Sequence, residues 1–454
     1  MRAKEVDMLS GSVMKGLVAI AIPVMVMNVL QSVFGIFDMM ILKIYDTEGG
    51  YSVGAVGASG MLITLITGLM IGTSVGVNVV VAKYIGKNDR EGVERTIGSS
   101  IVFALIGGAV LLAIGVCFAE IFLRWTNCPE ILLQRATLYF RIYFLGVPLL
   151  LLYNFLAAIL RAAGDSKGPM VYLTVGGFFK IAFTFLFVGV FGMDITGVAL
   201  STIISWLISA VLTGAALIKS DGAVKLDFRK IRIYAKQLKE ILIVGVPTGL
   251  QQAVYSIANV VITATVNTFG EDATTGISIA NQFDGLLYQI SVAPSLAVAP
   301  YVSQNVGAGN VKRAKETVIK GIMLTVALGA SFGALSAIFS AQLSSIMSDN
   351  PAVIAYSRQK MIIVSSTYFI CGINETVGAA LKGMNRSIVP MVCTVIFLCA
   401  IRFPWVYFVF PLCPDLTFLY LVWPVGWVLS IITLSFYIVP TVHRFAENGN
   451  DLKK

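Results

Sequence analysis

The chain has 454 residues, of which 57% are hydrophobic and only 13% charged, and its mean hydropathy is +0.86. A soluble domain carries roughly 45–50% apolar and about 25% charged residues, so this composition excludes a water-soluble fold and points to an integral membrane protein. The net charge of +9 and pI near 9.2 fit contact with anionic lipid headgroups rather than with nucleic acid.

Twelve apolar stretches are each long enough to cross a hydrocarbon core of ~30 Å as a helix. They cover about 14–42, 53–82, 94–118, 131–158, 169–191, 195–218, 240–269, 273–303, 314–340, 354–380, 388–412 and 416–442. Lipid leaves backbone polar groups no partner but their own segment, and these runs lack the ~10-residue alternation of barrel strands. The expected fold is therefore an all-α polytopic membrane protein.

If the N-terminus is cytoplasmic, the two tails and the loops after even-numbered spans hold about three quarters of the 33 lysines and arginines. The stretch Lys219 to Glu240 alone carries seven. This positive-inside asymmetry places both termini in the cytoplasm of a multi-pass protein of the plasma membrane. The N-terminal MRAKEVDML leads into a span too long for a signal h-region, and no small-residue cleavage site is evident, so an uncleaved protein is expected.

The second half repeats the first. LRAAGDSKGPM (Leu160–Met170) aligns without gaps on LKGMNRSIVPM (Leu381–Met391) at an offset of 221, and VAKYIGKNDREGVERTI (from Val81) aligns on VSQNVGAGNVKRAKETV (from Val302) at the same offset. KGLVAIAIP (from Lys15) and KEILIVGVP (from Lys239) align at 224. Each half then holds six helices in one order. Since six is even, the two lobes share one orientation and are related by a pseudo-two-fold axis along the membrane normal. The expected division is an N-terminal lobe over 1–218, a cytoplasmic linker over 219–239 and a C-terminal lobe over 240–454. A cleft between two such halves suits alternating access, although duplication kept for stability alone would give the same repeat.

Little in the sequence supports an enzyme. The six cysteines have no metal-ligand spacing and fall mostly inside spans as small apolar residues, and His443, the only histidine, lies just past the last span. Neither a metal site nor a cofactor is expected. Asp38 and Asp284 share no active-site motif that would make them a protease dyad.

The charges within the apolar spans are more informative: Asp38, Lys180, Asp284, Glu375 and Arg402. Each costs ~2.5–3.5 kcal/mol at mid-helix, too much for packing alone to retain all five. Polar stripes accompany them at helical spacing: Asn28, Gln31, Gly35 and Asp38; Gly176 or Gly177, Lys180 and Thr184; Gln252, Tyr255 and Asn259; Asn281, Asp284, Tyr288 and Ser291. Such amides also serve as interhelical glue.

These segments together resemble the multidrug and toxic compound extrusion (MATE) transporters over essentially all twelve spans. The resemblance rests on QSVFGIFDMMIL, SVGVNVVVAKYIGKNDREGVERTI, LRAAGDSKGPM, GVPTGLQQAVYSIANVVI, VSQNVGAGNVKRAKETVI and LKGMNRSIVPM at matching places in both halves. It implies two six-helix lobes that export small organic cations or amphiphilic drugs in exchange for H⁺ or Na⁺. A flippase for a lipid-linked precursor of the same superfamily is the alternative, which an arginine-rich cavity and extra spans would favour. Asp38 matches the family's first-helix carboxylate. Gly177, Lys180 and Thr184 stand where it commonly has two asparagines and a carboxylate, and Tyr255 and Cys371 stand where its sodium-coupled bacterial branch has a glutamate and an aspartate.

From these readings Asp38, Lys180, Asp284 and Glu375 are candidates for ion or proton coupling, and Asn28, Gln31, Gln252, Tyr255, Asn259, Tyr288 and Arg402 for substrate binding, in a protein expected to act as a monomer. A lysine stem can bridge the ~7 Å difference in depth between Asp38 and Lys180. The sequence leaves open whether the two meet; if they do, the pair is either a permanent ion pair or a proton-operated switch, while a fixed ammonium there disfavours Na⁺. In the C-terminal lobe the depths predict an Asp284–Arg402 pair, with Glu375 nearer a cytoplasmic gate or all three in one static network.

Overall fold

The computed structural model describes residues 6–45, 51–126, 128–220, 222 and 224–451; the side chain of His443 lies outside the described residues. Its long helices are α1 (Val13–Tyr45), α2 (Tyr51–Gly86), α3 (Arg90–Trp125), α4 (Glu130–Leu145 with Val147–Ala162), α5 (Lys167–Val190) and α6 (Asp194–Ile218). The second series is α7 (Ala235–Asn267), α8 (Glu271–Gly307), α9 (Val311–Ile338), α10 (Pro351–Ser365 with Tyr368–Gly383), α11 (Ile388–Leu412) and α12 (Leu416–Thr441). No strand occurs among the described residues.

Ten of these helices are long and apolar enough to cross a membrane, and α4 makes eleven as two pieces bent by 45°. The twelfth is α10. Its two pieces begin 221 residues after the two pieces of α4, but Arg358, Lys360 and Glu375 dilute its hydropathy. The repeat extends to the helix caps. The Asp89 side chain accepts from Gly92 N–H at the start of α3, and Asn310, 221 residues on, accepts from Arg313 N–H at the start of α9, each satisfying a donor that a helix N-terminus leaves over.

By contact the chain forms two compact units, residues 1–6 with 26–249, and 7–25 with 250–454. Chain order alone would put all of α1 in one lobe and all of α7 in the other. Instead each of these helices changes unit just after an internal proline, Pro23 or Pro247, a residue that removes one helical hydrogen bond and favours a bend.

In the first unit, α2 and the start of α7 meet backbone to backbone. A Cβ on Gly72 would lie 2.4 Å from Gly249 Cα, and one on Gly76 would lie 2.3 Å from the Ile241 carbonyl oxygen. Small residues permit this close approach, which is how helices gain van der Waals contact where lipid supplies no hydrophobic drive. In the second unit the chain before α1 is held by side chains: Asn305 Nδ2 and Arg313 Nε donate to the Met8 carbonyl at 3.1 and 2.9 Å, and Arg313 Nη1 donates to that of Gly11 at 2.9 Å.

Candidate functional site

The first unit carries a buried ion pair. A Cβ on Gly177 would lie 1.9 Å from the Phe34 ring, so the glycine lets α1 and α5 close on each other. One turn beyond that contact Asp38 faces α5, and Lys180 Nζ lies 2.5 Å from Asp38 Oδ2. Thr184 Oγ1 donates to Asp38 Oδ1 at 3.2 Å and shares a second hydrogen bond, at 2.7 Å, with Ser201 Oγ of α6. Asp38, Thr184 and Ser201 are all buried. Asp38, Lys180 and Thr184 come together, a meeting that depth permitted and the sequence left open, whereas Ser201 gave no sign of itself in a run of serines and threonines. Of the other first-span candidates, Asn28 is half-buried and Gln31 exposed.

The second unit departs from the expected pairing. Asp284 does not meet Arg402. Its Oδ2 lies 2.8 Å from Lys360 Nζ of α10, and its Oδ1 accepts from Ser365 Oγ at 3.3 Å. Lys360 also donates to Asn281 Oδ1, one turn before Asp284. Depth from the helix ends misled here, because it ignored a lysine that lies inside the tenth apolar stretch and is 3% exposed. Lys360 falls within the apolar stretch 354–380, so its charge is legible there in the sequence. Both units thus hold an aspartate between a lysine and a hydroxyl, on different pairs of helices.

Arg402 is 2% exposed and donates through Nη1 to Asn259 Oδ1 at 2.7 Å. Its guanidinium carbon lies 5.3 Å from the Tyr255 ring centroid and 5.5 Å from that of Trp423. This amide–guanidinium contact echoes the pair of the other unit. Asn259 and Arg402 follow Asp38 and Lys180 by 221 and 222 residues. The extra residue has a structural source, because the π-helical stretch Thr394–Ala400 precedes Arg402, while Phe185–Val190 follows Lys180, and a π turn takes up one more residue than an α turn.

A cavity of about 320 Å³ opens within the second unit, walled by Asp284, Lys360, Asn259, Tyr288 and Trp423 among others. Gln252 and Tyr255 line both it and a smaller adjoining space that also holds Glu375 and Cys371. Five of the candidates, Gln252, Tyr255, Asn259, Asp284 and Tyr288, therefore share one wall. Glu375 is half-buried and forms no ion pair with Arg402 or Lys360 among the described residues. Trp423, Tyr368 and Tyr420 complete the aromatic lining; their types and spacing in the sequence are those of ordinary core aromatics.

Comparison with known proteins agrees with this architecture. The sequence profile of the MatE family matches twice, over residues 23–186 and 247–408, once in each half of the repeat. "Probable multidrug resistance protein YoeA" of Bacillus subtilis is 26% identical over 401 residues, 87% of this chain and 86% of that protein. "Probable multidrug resistance protein NorM" of Thermotoga maritima is 26% identical over 86% of this chain and 84% of its own. An outward-facing multidrug resistance MATE family transporter of the MOP superfamily superposes with a TM-score of 0.90 at 19% identity, over 98% of this chain and all of that one, and so shares the fold of twelve helices in two lobes. The chain belongs to the MatE (multidrug and toxic compound extrusion) family of multi-pass membrane transporters, and it is not an enzyme.

Proposed function

We propose that this protein exports small amphiphilic compounds across the plasma membrane in exchange for inward-moving protons, by alternating access. The observation that carries the reading is the buried Asp38–Lys180 pair, with Thr184 on the second carboxylate oxygen. A carboxylate withdrawn from water is held by one ammonium and one hydroxyl, so adding a proton cancels its charge and leaves Lys180 to find another partner. That change is large enough to bias two packings of α1, α5 and α6. A fixed ammonium at 2.5 Å competes with any cation for the same oxygens, which favours H⁺ over Na⁺.

The similarity to probable multidrug resistance proteins supports drug efflux. The distribution of lysine and arginine supports cytoplasmic termini. Asp284 with Lys360 forms a second titratable pair in the same role, and Gln252, Tyr255, Asn259 and Tyr288 are the proposed cargo contacts. The test is transport by the purified protein in liposomes, with rhodamine 123 and carboxyfluorescein as cargoes and either a proton or a sodium gradient imposed. Dye movement driven by the proton gradient alone is expected. Movement driven only by sodium, or unaffected by either gradient, would overturn the coupling.

A further inference from the structure

Two buried cations in the second unit crowd one aromatic ring. Lys360 Nζ and the Arg402 guanidinium carbon each lie 5.5 Å from the Trp423 centroid, and both are 3% exposed or less. One carboxylate, Asp284, answers one of them at 2.8 Å. Arg402 has only neutral side chains within hydrogen-bond reach among the described residues, the Asn259 amide and the Tyr255 phenol, although a guanidinium carries five donors suited to bidentate contact with a carboxylate or phosphate. A buried cation without a counter-charge is costly, and a site that tolerates it gains from an anion that arrives with the ligand.

The surroundings specify the rest of that ligand. The cavity beside these groups measures about 320 Å³, within the range of small-molecule sites. Tyr255, Tyr288, Tyr368, Tyr420 and Trp423 line it, a wall of ring faces and edges suited to a flat aromatic body. The Tyr420 hydroxyl has no hydrogen-bond partner among the described residues. A further acidic side chain, Glu375, lines the adjoining space together with Tyr255 and Tyr288. Lys360 lines this cavity, and Arg402 lies behind the lining residues Asn259, Tyr255 and Trp423, so a cationic drug entering here would face two like charges.

We infer that this cavity binds aromatic compounds bearing an anionic group, with the guanidinium of Arg402 and the ammonium of Lys360 as the charge that selects them. The inference rests on the export reading and narrows its cargo. A lipid-linked anion shares the charged group, but the aromatic wall favours a soluble aromatic body over a hydrocarbon chain.

Binding to the purified full chain, without any gradient, tests it. Carboxyfluorescein and rhodamine 123 share a xanthene core and differ in charge. Fluorescence polarisation is expected to show the anion binding at least tenfold tighter than the cation. Asn259→Asp supplies Arg402 with a carboxylate while keeping its size and acceptor, so the variant should fold, and its affinity for carboxyfluorescein should fall at least tenfold. Lys360→Gln should weaken the anion similarly if it folds. Equal or tighter binding of rhodamine 123, or unchanged carboxyfluorescein affinity in Asn259→Asp, would overturn the inference. Undecaprenyl phosphate displacing carboxyfluorescein more strongly than free benzoate does would overturn the soluble-aromatic assignment. Proton-driven transport of the cation without anion binding would remove the selectivity and leave the coupling; anion binding without proton-driven movement would do the reverse.

Discussion

Lys180 reaches across from α5 to Asp38 of α1 and places its ammonium 2.5 Å from the carboxylate, while Thr184, one turn along the same helix, donates to the other oxygen at 3.2 Å. The two helices can come this close because Gly177 leaves room for the Phe34 ring. Asp38 titrates and an amide does not, so Asp38→Asn should abolish proton-driven export while Lys180 keeps an acceptor of the same shape. Transport in liposomes, alongside a size-exclusion profile matching that of the parent, checks this; a well-folded variant that still runs on a proton gradient would contradict it.

Removing the lysine is a different experiment. Lys180→Met leaves a buried carboxylate with Thr184 alone, at an expected cost of about 3–5 kcal/mol. The double variant Asp38→Asn/Lys180→Met should lose less than the two single losses added together, with a coupling of roughly 1–3 kcal/mol. Thermal unfolding in detergent across all four proteins measures it. Simple additivity would mean that the contact contributes nothing.

The α2–α7 approach offers a steric prediction. Gly76→Ala puts a methyl 2.3 Å from the Ile241 carbonyl oxygen, a backbone atom that cannot rotate away, so overpacking should cost about 1–3 kcal/mol. Gly57→Ala, in the same helix with nothing within 4 Å of the new Cβ, should be neutral or mildly stabilising. A fall in melting temperature for Gly76→Ala only is the expected pattern.

A pH effect is expected outside the membrane, before α1. Asp7 accepts from Ser10 Oγ at 2.5 Å and from Leu9 N–H at 2.9 Å, and these bonds, the Ser10 hydroxyl first, hold its carboxyl below the ordinary value of 3.8. A depressed folded value means that the stabilisation is present above the unfolded value and is lost as pH falls through the folded one, so the turn should loosen only below about pH 4. Hydrogen-exchange protection of the Leu9 and Ser10 amides, corrected for intrinsic rates, should be flat from neutral pH to that point and then drop. Asp7→Asn should remove the drop.

The sequence alone determined the solvent, the class and the repeat, because hydrophobic length, charge asymmetry and gap-free self-similarity are one-dimensional properties. It also located Asp38 and Lys180, and put Gly177 and Thr184 on the stripe of Lys180. The partner of Asp284 was decided by tertiary structure. Choosing between Arg402 and Lys360 depends on how α8, α10 and α11 turn about their own axes, and packing sets that rotation, whereas depth along the chain does not. The exchange of the first halves of α1 and α7 was likewise invisible, since a proline within a helix shows where it can bend and not which neighbours each half will meet. The crowding of two cations on Trp423 came last of all, because an aromatic at position 423 reads as core until residues far from it in the chain arrive beside its ring.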